Sequence, residues 1–366
     1  MTRVFMTTDA VGGVWHYCVA LAGELVRGGD RVRLGVVGPA PSARQRDAAD
    51  LAGAGVQCLD APLDWLAGGT AGLDAGRAAI AEAARGWQAD IVQVDQPAYA
   101  AGHWAAPVVT VAHSCVETWW RGTHGVPAPA EWDWHRQAVG QGLRTAAIAI
   151  APSRAFAAAL REAYGLDRAP MAVPNGIAPG GRPAAKGAFV LASGRAWDAS
   201  KNFALLDAAA PAIRWPVRLA GDTVAPDGAG AMTVRHVHCL GALGPQRMAA
   251  EYAAAPIYVS PSLCEPFGLG VLEAAQAGAA LVLSDIPVFR ELWDGAAIFF
   301  GRRDAQALAR AVNRLIDEPG LRRRVGAAAA ARAGEYTVSA TARVMRDCYA
   351  QALATGAARA RPRVPA

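Results

Sequence analysis

Long apolar runs are missing from this chain of 366 residues. No stretch approaches the ~18–20 residues that a membrane-spanning helix requires. The first six residues pass directly into strand-like sequence and lack the apolar core and cleavage site of a secretory signal peptide. We therefore expect a cytoplasmic protein without a transmembrane span. Peripheral association at the inner membrane face stays open, because residues 359–363 form a basic tail that suits anionic lipid.

Motifs for metals and redox cofactors are also missing. The six cysteines contain no C-x-x-C pair and have no closely spaced histidine partners, so we predict reduced, mostly buried thiols. The chain has no D-x-D motif, whose carboxylates would hold a divalent cation. Its glycine loops do not follow the G-x-G-x-x-G pattern, which argues against a nicotinamide cofactor.

Charged residues are few and dispersed. They make up 18% of the chain, against 53% hydrophobic residues, and the net charge of +5 is modest for this length. A nucleic-acid-binding protein concentrates positive charge on one face or carries a recognisable module, and neither occurs here, so we expect no nucleic-acid partner. The composition is typical of a well-packed α/β protein that is long enough for two domains.

Strand and helix patterns alternate in both halves of the chain. In the first half, short β-branched runs at 3–8, 31–37, 90–95, 107–112 and 146–151 predict buried parallel strands. Comparable runs begin again at 189, after a linker-like segment, 179–187, that is rich in Pro, Gly and Ala. The sequence therefore predicts two doubly wound, Rossmann-like α/β domains facing across a cleft, at 1–180 and 181–345, with 346–366 as a helix end and basic tail.

The segment from Glu265 to Glu273 carries the strongest candidate site. It lies between a β-branched run at 257–260 and an alanine-rich helical run at 274–277, where a strand passes into a helix. Glycines at a helix start leave backbone N–H groups free for an anion, and the two carboxylates could read hydroxyl groups on either side of it. Taken alone, Glu265 is better explained as a loop charge and Glu273 as an ordinary acid early in a helix, and the complete string shifts the balance toward a site.

Two cations lie on another predicted strand-to-helix loop. Arg195 and Lys201 follow the strand at 189–193, and a pyrophosphate leaving group needs such a pair, although this loop by itself is better explained as a solvated pair of charges. His113 ends the strand at 107–112, where it would face a ligand crevice, although a structural histidine is about as probable on position alone. The adjacent glycines Gly12 and Gly13 would let backbone approach a ligand, although a tight turn explains them equally well.

A tryptophan-rich run at 117–135 contains proline and is predicted to be loop-like. Its aromatic rings either cap the sheet or form a wall on which an acceptor sugar stacks, and both interpretations stay open. The candidate acceptor residues in this run are Trp119, Trp120, Arg121 and His124.

These residues together resemble a known family. Glu265-Pro266-Phe267-Gly268-Leu269-Gly270-Val271-Leu272-Glu273 is similar to the E-x7-E signature of retaining GT-B glycosyltransferases, particularly glycosyltransferase family 4. Further blocks of that family are matched, in the same order, by Gly12-Gly13-Val14, Pro174-Asn175-Gly176-Ile177 and Gly194-Arg195 with Lys201-Asn202. The resemblance covers nearly the whole chain and implies the GT-B fold.

The resemblance also implies roles for individual residues. Glu265 would contact the donor sugar, His113 would lie by the transferred sugar, and Arg195 and Lys201 would neutralise the departing diphosphate. The implied donor-binding residues are Gly12, Gly13, Leu240, Gly241, Pro266, Phe267, Gly268, Leu269 and Glu273. Glu273 among them would bind the ribose hydroxyls, and the N-terminal domain would bind the acceptor.

The implied activity is transfer of a hexosyl-type group from a nucleotide-diphosphate sugar, with retention at the anomeric carbon and no required metal or other cofactor. The donor, whether a UDP-, GDP- or ADP-sugar, is undetermined. The acceptor is a glycan, a lipid-linked glycan or a small molecule, as in polysaccharide biosynthesis. Two alternatives stay open: a GT-B-like nucleotide-sugar epimerase, and a non-catalytic nucleotide-sugar-binding protein.

Overall fold

A computed structural model describes residues 1–178, 180, 184–225 and 230–360, with the side chains of 356–360 left undescribed. Residues 179 and 181–183 of the predicted linker lie outside the described residues. None of the side chains in the basic tail at 359–363 is described. The chain divides into two compact units. The first unit contains Met1–Arg121, Gly125–Ala178 and the residues from Val338 on. The second unit contains Gly122–His124 and the described residues between Ala178 and Val338.

Strands and helices alternate along the chain. The strands are β1 (Arg3–Asp9), β2 (Arg31–Val37), β3 (Gly55–Cys58), β4 (Ile91–Val94), β5 (Val108–Val111), β6 (Ile148–Ala151), β7 (Met171–Ala172), β8 (Val190–Ser193), β9 (Val217–Ala220), β10 (His238–Gly241), β11 (Ile257–Ser260), β12 (Ala280–Ser284) and β13 (Ala297–Phe300). The helices are α1 (Gly13–Arg27), α2 (Ala43–Leu51), α3 (Thr70–Gly86), α4 (Val116–His124), α5 (Asp133–Thr145), α6 (Arg154–Tyr164), α7 (Phe203–Ala209), α8 (Pro245–Ala254), α9 (Leu269–Gln276), α10 (Pro287–Trp293), α11 (Ala305–Asp317), α12 (Pro319–Ala333) and α13 (Val338–Ala360).

Each unit is built on one parallel sheet. The strand order is β3-β2-β1-β4-β5-β6-β7 in the first unit and β10-β9-β8-β11-β12-β13 in the second. Central strands such as β4 and β12 are buried along their whole length, as their β-branched, apolar sequences predict. Helices bury their apolar stripes against the sheets, which makes both units doubly wound α/β layers.

The strand order reverses once in each sheet. The reversal falls between β1 and β4 in the first unit and between β8 and β11 in the second. Loops that leave the carboxyl ends of strands diverge at such a point and open a crevice for ligands. The loop with Gly12 leaves β1, whereas the loops with Lys201 and Glu265 leave β8 and β11. Every strand-end candidate of the sequence analysis therefore lies at the carboxyl edge of its sheet.

The predicted tryptophan loop is mostly helical, and the loop prediction was wrong. Its first part forms α4, in which Glu117 accepts a hydrogen bond from Arg121 Nε one turn later, at 2.6 Å. Gly125 ends this helix with φ 78°, a left-handed conformation that glycine adopts without steric cost. The prolines lie in the short connection to α5, so they do not interrupt either helix.

The last helix, α13, packs on the first unit. Its buried residues Met345, Cys348 and Tyr349 join the core formed by β1, β2 and α1. Residues 338–345, which the sequence analysis assigned to the second domain, therefore lie in the first compact unit. In the part of the chain that the structure describes, no helix combines the length and apolarity needed to cross a bilayer.

Candidate active site

An ion pair at the carboxyl edge of the second sheet joins two of the predicted catalytic residues. Lys201 Nζ donates to Glu265 Oε1 at 2.6 Å, and the side chains are only 19% and 8% exposed. Ser262 Oγ donates to the same carboxylate oxygen at 3.0 Å. The Glu265 carboxylate is thus held in one orientation, with one oxygen occupied by its protein partners.

The two loops that carry this pair are tied together by their backbones. Leu263 N donates to Ser200 O at 2.7 Å. Asn202, in the left-handed conformation with φ 54°, donates from Nδ2 to Pro261 O at 3.0 Å. These contacts hold the loop after β8 against the loop after β11, so Lys201 and Glu265 meet although 64 positions separate them.

Arg195 occupies the same loop as Lys201 but has a different partner. Its Nη2 atom donates to Asp198 Oδ2 at 2.8 Å, while 46% of the side chain remains exposed. The other oxygen of Asp198 accepts from the backbone N and hydroxyl of Ser200, at 3.0 and 2.7 Å. Asp198 therefore shapes the turn that carries Lys201 and also orients an accessible guanidinium beside it.

The start of α9 carries the residues that were predicted to contact phosphate. Gly268 precedes the helix with φ 93°, and within the described residues no side chain caps this end. Phe267 is buried and packs edge-on against the ring of Tyr336, with 5.7 Å between centroids, which anchors the turn beside Pro266. The backbone of Gly268 and Leu269 thereby presents the positive end of the helix at the sheet edge that carries Glu265.

Glu273 lies one turn further along α9, in surroundings unlike those of Glu265. Its side chain reaches solvent, yet nearby protein desolvates the carboxyl group and raises its pKa, an effect that a hydrogen bond from Tyr252 partly opposes. Tyr252 and Tyr258 both place their hydroxyls on Ser193 Oγ, at 2.8 and 2.9 Å. This hydroxyl cluster links the end of β8 to the helix that carries Glu273.

Leu240 and Gly241 end β10. Backbone contacts of Gly221 connect this end to the loop that carries Arg195. Gly221 N donates to Gly241 O at 2.8 Å. A Cβ on Gly221 would lie 1.8 Å from Gly194 O, so only glycine fits between these loops. The ends of β8, β9 and β10 therefore converge. Leu240 and Gly241, which were predicted to contact the base, border the loop that carries Arg195 and Lys201.

In the first unit, the structure brings His113 against a carboxylate that the sequence analysis missed. His113 Nε2 lies 2.8 Å from Asp95 Oδ1, and the Asp95 side chain is fully buried. The Tyr17 ring packs edge-on against the imidazole, with 4.5 Å between centroids. Asp95 follows β4, beside the point where the strand order reverses. This position at a strand end was the sequence signal that could have identified Asp95 as a site residue.

The remaining candidates lie at the start of α1 and along α4. Gly12 precedes α1 with an extended backbone, and Gly13 begins it in an exposed position. The Trp119 and Trp120 rings contact each other edge to face, with 5.7 Å between centroids. Arg121, paired with Glu117, lies one turn before the exposed His124 on the same helix. Gly12, Gly13, Trp119, Trp120 and Arg121 belong to the first compact unit, whereas His124, at the end of α4, belongs to the second.

Two family models match successive parts of the chain. Residues 11–180 match the model described as Glycosyltransferase Family 4, and residues 187–318 match the model described as Glycosyl transferases group 1.

Curated relatives match over a shorter segment. A D-inositol 3-phosphate glycosyltransferase of Streptomyces griseus is 37% identical over 123 residues, which are 32% of this chain and 26% of that protein. The corresponding protein of Streptomyces scabiei is 33% identical over 115 residues, or 30% of this chain and 25% of that one.

Solved structures match over nearly the whole chain. The sucrose-phosphate synthase from Thermosynechococcus elongatus has a TM-score of 0.79 at 18% identity and covers 97% of this chain and 100% of its own. Anabaena HepE in complex with UDP and glucose has a TM-score of 0.73 at 16% identity, with 96% and 100% covered. These likenesses confirm the predicted GT-B fold of two doubly wound α/β domains. Because both family models match in the predicted order, the chain belongs to the group 1 glycosyltransferases of family 4.

Proposed function

We propose that this chain is a retaining glycosyltransferase that moves a hexosyl group from a nucleoside-diphosphate sugar to an acceptor hydroxyl without a metal ion. The observation that carries the proposal is the Lys201–Glu265 pair beside the uncapped start of α9. It combines a cation and a helix N-terminus suited to a diphosphate with a fixed carboxylate suited to sugar hydroxyls. The complex of HepE with UDP and glucose supports a donor of this class.

The transition state of such a transfer has oxocarbenium character on the sugar and growing negative charge on the leaving diphosphate. Lys201 and the start of α9 would stabilise that charge where it develops, and the exposed guanidinium of Arg195 would add to them. Glu265 would hold donor-sugar hydroxyls through its second oxygen. Its pairing with Lys201 would also keep the ammonium in position before the donor arrives.

Glu273 and the convergent ends of β8, β9 and β10 would bind the nucleoside. The carboxylate of Glu273 would accept from the ribose hydroxyls, whereas Leu240 and Gly241 would border the base. The N-terminal part of the chain would bind the acceptor, with His113 near the transferred sugar and the α4 residues Trp119, Trp120, Arg121 and His124 along the acceptor. The curated relatives act, by name, on D-inositol 3-phosphate, which adds phosphorylated polyols to the acceptor classes to screen.

A thermal-shift screen with UDP-, GDP- and ADP-sugars identifies the donor, because a ligand that binds only the folded protein raises Tm. Transfer is then measured with the stabilising donor and a panel of glycan, lipid-linked and polyol acceptors. Incubation with donor alone tests the epimerase alternative. Stoichiometric epimer formation without an acceptor would contradict the transferase proposal, and donor binding without turnover of any acceptor would favour a binding protein.

Substitution of the ion pair tests the site. We expect Glu265→Gln and Lys201→Ala each to lower kcat by about 100-fold or more, the effect of removing one preorganised electrostatic contact. Asp317→Asn is the matched control, because Asp317 pairs with Arg214 on the exposed surface of the same unit. Circular dichroism checks that each variant is folded. Wild-type kcat at saturating donor in either site variant would refute the assignment.

A further inference from the structure

We propose that Tyr349, on the last helix of the chain, is a positioning residue for His113, acting through Gln93 and Asp95. The inference rests on the proposed function, in which His113 lies beside the transferred sugar. All four residues belong to the first compact unit, but they come from three separate parts of the sequence. The observation behind the proposal is a continuous chain of side-chain hydrogen bonds from α13 to the imidazole.

Each link of this chain is a direct contact. The Tyr349 hydroxyl donates to Gln93 Oε1. Gln93 Nε2 lies 3.0 Å from both Asp95 Oδ1 and Asp95 Oδ2 and donates to the carboxylate. Asp95 Oδ1 then lies 2.8 Å from His113 Nε2. Gln93 and Asp95 are two positions apart on and just after β4, so their side chains point to the same face of the sheet.

Burial makes the orientation of the Gln93 amide depend on Tyr349. Gln93 is fully buried, Tyr349 is 2% exposed and Asp95 is 3% exposed, so these polar groups satisfy their hydrogen bonds from one another. An amide can present either its oxygen or its NH2 group to a neighbour. The phenol donates to the amide oxygen, which leaves the NH2 group facing the carboxylate. Burial, with the nearby Asp95, raises the pKa of Tyr349 well above its ordinary value, so the phenol keeps the proton that it donates.

The carboxylate in turn determines how the imidazole is held. Asp95 Oδ1 faces His113 Nε2, so the tautomer that carries its proton on Nε2 and donates to Asp95 is favoured, which leaves Nδ1 as an acceptor. The edge-on Tyr17 ring restricts rotation of the imidazole from the other side. Tyr349 therefore supports His113 without contacting it, and its loss would let the amide turn its oxygen toward Asp95 and weaken the support.

Kinetics of Tyr349→Phe test this role. We expect kcat to fall by about tenfold, the equivalent of ~1.4 kcal/mol in the barrier, while the donor KM changes less than about twofold. In a His113→Ala background the same substitution should have no further effect on kcat, because the two residues act as one unit. Tyr99→Phe is the matched control: Tyr99 is also fully buried in the first unit, but its hydroxyl donates to the Pro62 carbonyl at 2.7 Å.

A spectroscopic measurement tests the same point without turnover. In protein labelled with ¹⁵N-histidine, the ring resonances of His113 are assigned by their loss in His113→Gln. We expect the Nε2-protonated signature in the wild type and in Tyr99→Phe, and a shift toward mixed tautomers in Tyr349→Phe.

The two measurements separate failure of this inference from failure of the proposed function. Absence of transfer from every nucleotide-sugar would overturn the proposed function, and the His113 spectra would still decide whether Tyr349 sets the tautomer. Wild-type kcat and wild-type His113 resonances in Tyr349→Phe would overturn the inference alone. An equal loss of kcat with and without His113 would also overturn it, because Tyr349 would then act independently of the imidazole.

Discussion

Glu265 and Glu273 show how differently two carboxylates on one segment are held. Glu265 has a cation and a hydroxyl as partners, and its loop is anchored to the neighbouring loop. Glu273 has a tyrosine hydroxyl and a desolvating environment that raises its pKa. Because their partners differ in this way, the two carboxylates are suited to different tasks. In the proposed function these tasks are holding the donor sugar and holding the ribose.

Gly270 is the residue at which the hydroxyl cluster leaves least room. A Cβ there would lie 2.8 Å from the Tyr258 hydroxyl, 3.0 Å from Ser193 Oγ and 3.1 Å from the Tyr252 hydroxyl. We expect Gly270→Ala to lower the free energy of unfolding by about 1–3 kcal/mol, because the cluster must move apart. Calorimetry measures the accompanying fall in Tm.

Gly320→Ala is the control for this substitution. Gly320 lies in α12, and a Cβ there would lie 3.6 Å from Arg324 Nη1, an ordinary contact. Alanine has the higher helix propensity, so this variant should keep or slightly raise Tm. Equal Tm values for the two alanine variants would contradict this prediction, because they would show that the hydroxyl cluster accommodates the methyl group without loss of stability.

At the scale of elements, the site depends on loops that are fastened to each other and to the sheet. Asp198 shapes the short turn before Lys201, and Asn202 donates to the backbone of the loop after β11. Asn202 precedes α7 in the left-handed conformation, which asparagine accepts more readily than most residues. The hydrogen bonds of these short polar side chains hold the loops in place, since the loops lack the apolar packing of a helix or strand.

Asp207 fastens α7 to the segment that leads into β10. Its carboxylate accepts from the backbone N–H groups of Arg235, His236 and Val237, with distances of 2.8 to 3.2 Å. Burial acts to raise the pKa of Asp207, but these N–H groups outweigh it and leave the pKa below its ordinary value of 3.8. Since the folded-state pKa is depressed, the stabilisation is present above about pH 4 and is lost as the pH falls through the folded-state value.

We therefore expect Asp207→Asn to lose about 1–3 kcal/mol of stability at neutral pH, because buried N–H groups lose a charged acceptor. The variant should also show a flatter decrease of Tm between about pH 5 and pH 3 than the wild type. Calorimetric scans across this range measure both effects. Asp294→Asn, which removes one partner of an exposed pair with Arg290, serves as the control and should follow the wild-type curve. A wild-type slope in Asp207→Asn would contradict this account.

At the scale of the whole molecule, the chain returns to its first unit after completing the second. The helix α13 closes the core of the first unit, and Arg346 joins it to the end of α1. The Arg346 guanidinium donates to Glu24 O and Leu25 O, at 2.7 and 3.0 Å, and to Asp30 Oδ2 at 3.0 Å. Both carbonyls also accept a backbone N–H group, from Gly28 and Asp30, so Arg346 adds a second hydrogen bond to each at the end of α1.

Arg346→Ala should therefore destabilise the first unit selectively. We expect faster hydrogen exchange in α1, β2 and α13, because the lost hydrogen bonds and ion pair of Arg346 lower the free energy of local opening by about 1–3 kcal/mol. Exchange in β8 to β13 should remain at the wild-type rate. Hydrogen-exchange mass spectrometry compares the two sets of peptides in one experiment. A uniform increase in both units would contradict a local role for α13.

Local patterns in the sequence determined much of this protein. Short β-branched runs predict buried strands because both faces of a parallel sheet are covered, and the glycines and acids after them mark strand-end loops. The strand-end positions of Glu265, Lys201 and His113 followed from that pattern, as did the two α/β halves. The family resemblance added the GT-B fold, which the structural likenesses confirm.

Contacts between distant segments were decided only by the tertiary structure. Lys201 meets Glu265 because the sheet places β8 beside β11, and strand order is not written in either segment. Asp95 reaches His113, and α13 joins the first unit, for the same reason. Periodicity reports which face of a segment is apolar, whereas the choice of neighbour depends on how all the segments pack together.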